Sequence, residues 1–244
     1  MANNRTFESQ ASQTGEGSSI VSLWSIFLTH NGRNAMKWKQ YFPAYERHLS
    51  RYVNRPALLI EIGIAGGGSL QIWKKYLGPL VRIVGIDIIE GCKKCEEDQI
   101  FARIGDQADE GFLASVIQEF GSPDIVIDDG SHRPEHQIAS FNFLYPRVAR
   151  DGVYAVEDVH GPTEFIAYNK TLINQLFGRY HGGERTAFTD TTLSMHFYDS
   201  LIIFEKGLLP NRVAPQTGAQ PGPAIVHQDG ILRALEPGEV PRQS

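Results

Sequence analysis

Two short apolar runs in this chain end abruptly in acids. Ile125-Val126-Ile127 leads into Asp128, Asp129, Gly130, Ser131 and His132, and Tyr154-Ala155-Val156 leads into Glu157 and Asp158. Such runs read as buried strands that deliver carboxylates to the C-terminal edge of a sheet. Between them, Arg133 to Arg147 has a proline near its start and apolar residues at helical spacing, so the unit reads as strand, helix, parallel strand. Neighbouring strands then set Asp129, Glu157 and Asp158 side by side, with His132 one turn away. Three hard oxygen ligands suit a divalent cation of the magnesium type, and an adjacent imidazole suits a general base. For either piece alone, a helix cap or a solvated acidic loop explains the residues equally well; the pair at two strand ends favours a site. His136 lies one turn further along the same helix, and His160, just past the acid pair, is the other candidate base.

The elements that must position these residues follow from the rest of the chain. Strands are expected at Ala57 to Gly63, Val81 to Asp87 and Phe101 to Ile104, alternating with helices from Ser69 and around Glu110 to Phe120. This alternation implies an α/β fold, a Rossmann-like, doubly wound, mostly parallel sheet. Thr192 to Phe197 and Leu201 to Lys206, joined by Tyr198-Asp199-Ser200, read as an antiparallel hairpin at one edge. Ahead of the sheet, Ser19 to Leu28 and Lys37 to Tyr52 read as helices, the second with Trp38, Tyr41, Phe42, Tyr45 and Leu49 on one face. That face packs a core or roofs a pocket. Residues 1–18 form a polar, flexible segment, 19–207 the domain, and 208–244 a Pro/Gly-rich tail, extended or poorly ordered.

The glycine turn Gly63-Ile64-Ala65-Gly66-Gly67-Gly68-Ser69 between a strand and a helix marks a nucleotide-like ligand. A dinucleotide fingerprint wants glycine where Ala65 stands, and Glu61 at the strand tip repels a pyrophosphate but tolerates a cationic sulfonium. Asp87 ends the second strand, where it can accept from ribose hydroxyls, and Asp106 ends the third, where it can meet an adenine amino group. This series suits S-adenosylmethionine better than NAD.

A net charge of −5 leaves no basic excess to neutralise phosphates, so nucleic acid is not an expected partner. No apolar stretch reaches the roughly 18 residues of a membrane span and no signal-like segment stands at the N-terminus; a cytoplasmic location without membrane insertion is expected. Cys92 and Cys95 form a lone C-x-x-C in a Lys/Glu-rich loop and read as incidental reduced thiols.

The motifs E-I-G-x-x-x-G-G-S-L, G-I-D-I, I-G-D-Q-x-D, D-I-V-I-D-D-G-S-H and V-E-D-V, with the hairpin F-Y-D-S-L-I-I-F-E-K, resemble class I S-adenosylmethionine-dependent methyltransferases. More narrowly they resemble the magnesium-dependent sugar O-methyltransferases of the macrocin and mycinamicin type and cephalosporin-hydroxylase-like proteins, over about Lys37 to Lys206. The resemblance implies metal ligands at Asp129, Glu157 and Asp158 and a base at His132. It also implies cofactor contacts at Glu61, Gly63, Ser69, Asp87, Asp106, Gln107 and Asp128. Magnesium, with manganese as a substitute, and a sugar or glycan acceptor follow from it. The large N-terminal domain of the macrolide sugar enzymes has no counterpart here, so acceptor and assembly do not transfer, and self-association stays open. Some relatives modify polysaccharides, including a mycobacterial enzyme for methylated mannosides. Trp38, Tyr41, Tyr45 and the loops His160 to Phe165 and His181 to Arg185 are candidates to hold a sugar ring or, equally, a vicinal phenol. A non-catalytic cofactor-binding subunit is the alternative from another class. A hydroxylase reading lacks a two-His-one-carboxylate set at recognisable spacing.

Overall fold

The structure, a computed structural model, describes residues 21–178, 183–207, 225–228 and 231–234. The first 18 residues and His181 lie outside them. Within Met1–Leu209, seven strands form one sheet: β1 (Ala57–Ile62), β2 (Val81–Asp87), β3 (Ile100–Ile104), β4 (Ile125–Asp128), β5 (Val153–Val156), β6 (Thr192–Tyr198) and β7 (Leu201–Lys206). Their order is β3-β2-β1-β4-β5-β7-β6; β1 to β5 run parallel, and β7 enters antiparallel between β5 and β6. The strand order reverses between β1 and β4, which opens a crevice at their C-terminal ends. In the Pro210–Ser244 unit, where the sequence reading placed no strand, β8 (Ile225–Gln228) and β9 (Ile231–Ala234) pair antiparallel.

Helices cover both faces of the main sheet. Leu59, Ile83, Ile125, Ile127 and Val153 pack against α1 (Leu23–Leu28), α2 (Tyr41–Leu49) and α3 (Gly68–Leu77). Alternate residues Leu58, Ile60, Val84, Val126 and Tyr154 pack against α4 (Glu110–Phe120), α5 (Pro134–Leu144) and α6 (Glu164–Gly178). Because successive strand side chains point to opposite faces, β1, β4 and β5 are apolar on both sides apart from Glu61 and Asp128. The short helix α7 (Ala187–Thr191) precedes β6. None of the described helices is long and apolar enough to cross a membrane.

One boundary differs from the sequence reading with consequences for the site. α2 starts at Tyr41, not at Lys37, and passes into a 3₁₀ turn at Ser50–Tyr52. Pro43 sets this limit: a proline is tolerated in the first helical turn, but a helix from Lys37 would place it inside, without an N–H and against a carbonyl. Lys37 and Trp38 therefore lie in irregular chain.

α2 is fastened to the sheet edge by a polar clamp. His48 Nδ1 lies 3.0 Å and Arg51 Nη1 2.8 Å from Glu205 Oε1, and His196 Nε2 lies 3.2 Å from Glu205 Oε2. The fold thus assembles two histidines and a carboxylate, within 4.8 Å of one another, from α2 and the β6-β7 hairpin. The sequence reading, which looked for such a set at recognisable spacing, did not address a grouping made by the fold. Tyr198 OH lies 2.9 Å from His48 Nε2 and Ser194 Oγ 2.9 Å from the same His196 Nε2, and none of the three residues lines the cavity described below.

Burial alone would raise the Glu205 pKa, but the His48 hydrogen bond and the Arg51 charge outweigh it and hold the carboxyl at about 2. Burial keeps His48 below its ordinary value. A depressed carboxylate stabilises the fold above its unfolded value of 4.5, and that contribution is lost as pH falls towards about 2. Glu205→Gln should therefore lower the urea midpoint at pH 7, and its deficit relative to the parent should shrink between pH 4.5 and 2. A constant deficit across that window would remove the clamp's electrostatic role.

Candidate active site

The glycine turn and the β4 loop are built against each other. Gly63 adopts φ +80°, and a Cβ there would stand 2.1 Å from the Asp129 carbonyl oxygen, so only glycine lets the two loops approach. Asp87 braces the turn from the end of β2: one oxygen accepts from Ile64 and Ala65 N–H at 3.0 Å each, the other from Ile89 N–H at 2.9 Å. Ser69, in the first turn of α3, donates to Glu61 at 2.9 Å.

A cavity of 740 Å³ opens over these loops, large enough for a nucleoside cofactor and part of an acceptor. It runs from Asp87, Asp106 and Gln107 past Gly63 and Ser69 to Asp129, His132, Glu157 and Asp158. Glu61 and Asp128, expected at the cofactor, do not line it. Strand alternation explains Asp128: as the last residue of β4 it points to the opposite face from Asp129. There it accepts from Gln107 Nε2 at 3.0 Å and Ser140 Oγ at 2.5 Å, while Gln107 Oε1 accepts from Ser131 N–H at 2.8 Å. Burial raises the Asp128 pKa, which these hydrogen bonds only partly offset. Its work is to hold the loop that carries Asp129 and His132.

At the far end lies the acidic centre. The pairing Ile62↔Asp128 and Asp128↔Val156 sets the three strands level, so Asp129 and Glu157, the next residues out, emerge together. Donor atoms of Asp129, His132 and Asp158 lie within 4.8 Å of one another, and His132 Nε2 is 3.7 Å from Asp158 Oδ2. His132 and Asp158 both have left-handed backbone, φ 57° and 54°.

Glu157 departs from the expected trio. Buried at 2% exposure, it accepts from Lys37 Nζ at 2.5 Å and Tyr45 OH at 2.5 Å. Lys37 also donates to Asp129 at 2.9 Å and stands 3.6 Å from Glu61 Oε1, an oxygen with no hydrogen-bond partner. Burial, reinforced by Asp129, pushes the Glu157 pKa above the carboxylate range despite Lys37. Burial would lower that of Lys37, yet Glu157, Asp129 and Glu61 hold it well above its ordinary value. Three carboxylates, Asp129, Glu157 and Glu61, thus face this one ammonium.

Tyr41 and Tyr45 were candidates to stack on a substrate ring. The structure buries both rings and turns their hydroxyls to the acids, Tyr41 to Asp158 at 2.7 Å and Tyr45 to Glu157. Trp38 alone of that group lines the cavity, 55% exposed. His136 also lines it and pairs with Ser131 Oγ at 3.0 Å, whereas His160 does not line it and contacts Ser200 Oγ at 3.2 Å. Cys92 and Cys95 are buried free thiols under the glycine turn; burial, with Asp87 beside it, pushes Cys92 up to about 11. Sequence reasoning missed Lys37; Pro43, which excludes Lys37 from the helix, was the available signal.

No family model matches the chain. Among solved structures, the mycinamycin-pathway methyltransferase MycE, in complex with Mg, SAH and mycinamycin VI, superposes with a TM-score of 0.68 at 27% identity, covering 82% of this chain and 58% of that one. This chain has the class I S-adenosylmethionine-dependent methyltransferase fold. It belongs to the same family as the following curated O-methyltransferases. The 8-demethyl-8-(2-methoxy-alpha-L-rhamnosyl)-tetracenomycin-C 3'-O-methyltransferase of Streptomyces olivaceus is 35% identical over 196 residues, 70% of this chain and 50% of the relative. The demethylmacrocin O-methyltransferase of Streptomyces fradiae is 32% identical over 215 residues, 78% of this chain and 53% of the relative. The chain thus spans about half the length of these relatives.

Proposed function

We propose that this chain is an S-adenosylmethionine- and magnesium-dependent O-methyltransferase that methylates a sugar hydroxyl of a glycosylated natural product, oligosaccharide or polysaccharide. The observation that carries this reading is one cavity with a braced glycine turn at one end and Asp129, His132 and Asp158 at the other.

The residues fit the groups. Asp87 and Asp106 offer carboxylates where ribose and adenine donors would lie. The oxygen-rich donor set of Asp129, Asp158 and Glu157 at the cavity suits a hard divalent cation, magnesium or manganese. When bound, the cofactor supplies the methyl group and the cation supplies Lewis-acid polarisation of the acceptor hydroxyl. The chain's own residues do the rest. The turn and Asp87 fix the cofactor so that methyl and acceptor can align at near-attack distance. Trp38 offers a ring at the cavity for the apolar face of a sugar. His132 takes the hydroxyl proton, and Asp158, 3.7 Å away, steadies the resulting charge.

The test is methyl transfer from S-adenosylmethionine to a panel of rhamnosides, other glycosides and catechols, with magnesium or with chelator. Magnesium-dependent methylation of a glycoside is the expected result. Transfer to catechols alone would replace the acceptor assignment. Cofactor binding without transfer to any acceptor and without divalent-cation binding would identify a non-catalytic subunit instead.

A further inference from the structure

Two of the carboxylates assigned above to a divalent cation already hold a cation of the chain's own. The Lys37 side chain is 5% exposed, with its ammonium 2.5 Å from Glu157 Oε1 and 2.9 Å from Asp129 Oδ2. It is carried by irregular chain before α2, and the same segment, through Asn34, Met36 and Trp38, lines the cofactor cavity. An ammonium and a divalent cation repel strongly at such range in a water-poor centre, so both cannot hold the same oxygens. With Glu157 bound to Lys37 and Tyr45, it does not join the close cluster of Asp129, His132 and Asp158.

We infer that Lys37 is a positioning residue that competes with the metal: it holds Asp129 and Glu157 together without a divalent cation, withdraws from them when one binds, and so sets metal affinity. This rests on the assignment of Asp129 and Glu157 as metal ligands. A purely structural ion pair predicts the opposite, because its removal would leave the acids to repel one another, disorder the centre and weaken metal binding.

The experiment titrates Mn²⁺ into the parent, Lys37→Met, Lys37→Arg and Asp129→Asn proteins, following free Mn²⁺ by electron paramagnetic resonance and the melting temperature with and without Mn²⁺. Lys37→Met should bind Mn²⁺ at least tenfold more tightly and show a larger Mn²⁺-induced rise in melting temperature, as tighter native-state binding requires. Lys37→Arg should stay within threefold of the parent. Unchanged or weaker affinity in folded Lys37→Met overturns the inference. If the parent binds no Mn²⁺, or binds it equally well after Asp129→Asn, the metal assignment itself fails. Lys37→Gln, which keeps a polar partner for the acids, is judged by the same criterion. If neither neutral variant folds even with Mn²⁺ present, the metal is no substitute for the ammonium and the inference falls.

Discussion

Asp129→Ala is expected to abolish methyl transfer and divalent-cation binding together, while affinity for S-adenosylhomocysteine stays within severalfold of the parent. The separation follows from the position of the residue. Its carboxylate belongs to the acidic centre, where it meets Lys37 at 2.9 Å, whereas the glycine turn is braced by Asp87 and packs on the Asp129 backbone oxygen, which alanine retains. Loss of Lewis-acid polarisation is worth several kcal/mol, so turnover should fall at least about a thousandfold. Excess chelator should reproduce this in the parent, and magnesium or manganese should restore the parent but not the variant. Calorimetry with S-adenosylhomocysteine and a methyl-transfer assay read the two quantities separately. Full activity of the parent in excess chelator would end the metal-dependent mechanism.

His132→Ala should lose about 10²- to 10⁴-fold in turnover, the range for removal of a general base, with cofactor affinity intact. Divalent-cation binding decides between two roles for this side chain. Its ring stands close enough to Asp129 and Asp158 to be a ligand, whereas the proposed all-oxygen set of Asp129, Asp158 and Glu157 does without it. Retained Mn²⁺ binding in His132→Ala assigns the base; lost binding assigns a ligand. His160, 60% exposed with Nε2 3.9 Å from Asp158, does not line the cavity. Near-normal turnover in His132→Ala together with a large loss in His160→Ala would move the base to the β5 loop.

What could be read from sequence divides along physical lines. In a parallel sheet, an apolar run followed by acids maps directly to a strand end, so Asp87, Asp129, Glu157 and Asp158 were placed without coordinates. The alternation of strands and helices gave the doubly wound sheet and its antiparallel hairpin edge for the same reason. Asp128 and Asp129 were harder to separate, because a step of one residue at a strand end reverses the face and periodicity does not mark where the strand stops. Tyr41 and Tyr45 were legible as an inward face of α2 but not as hydroxyl donors, since helical spacing fixes direction and not reach. Lys37 follows no period at all. Its position depends on where Pro43 allows the helix to begin and on acids that arrive from two strands much later in the chain.

The left-handed backbone at His132 and Asp158 sets this chain's proposed function against its own durability. Each non-glycine residue held there costs of order 1–3 kcal/mol, which the surrounding loops must sustain, whereas glycine accepts the same angles freely. Selection for heat resistance alone would therefore drift towards glycine or asparagine at 132 and 158, and each gain in robustness would be drawn from the centre proposed to perform the chemistry. A thermostable lineage that kept catalysis would have to find its improvements elsewhere, in the core or at the sheet edge.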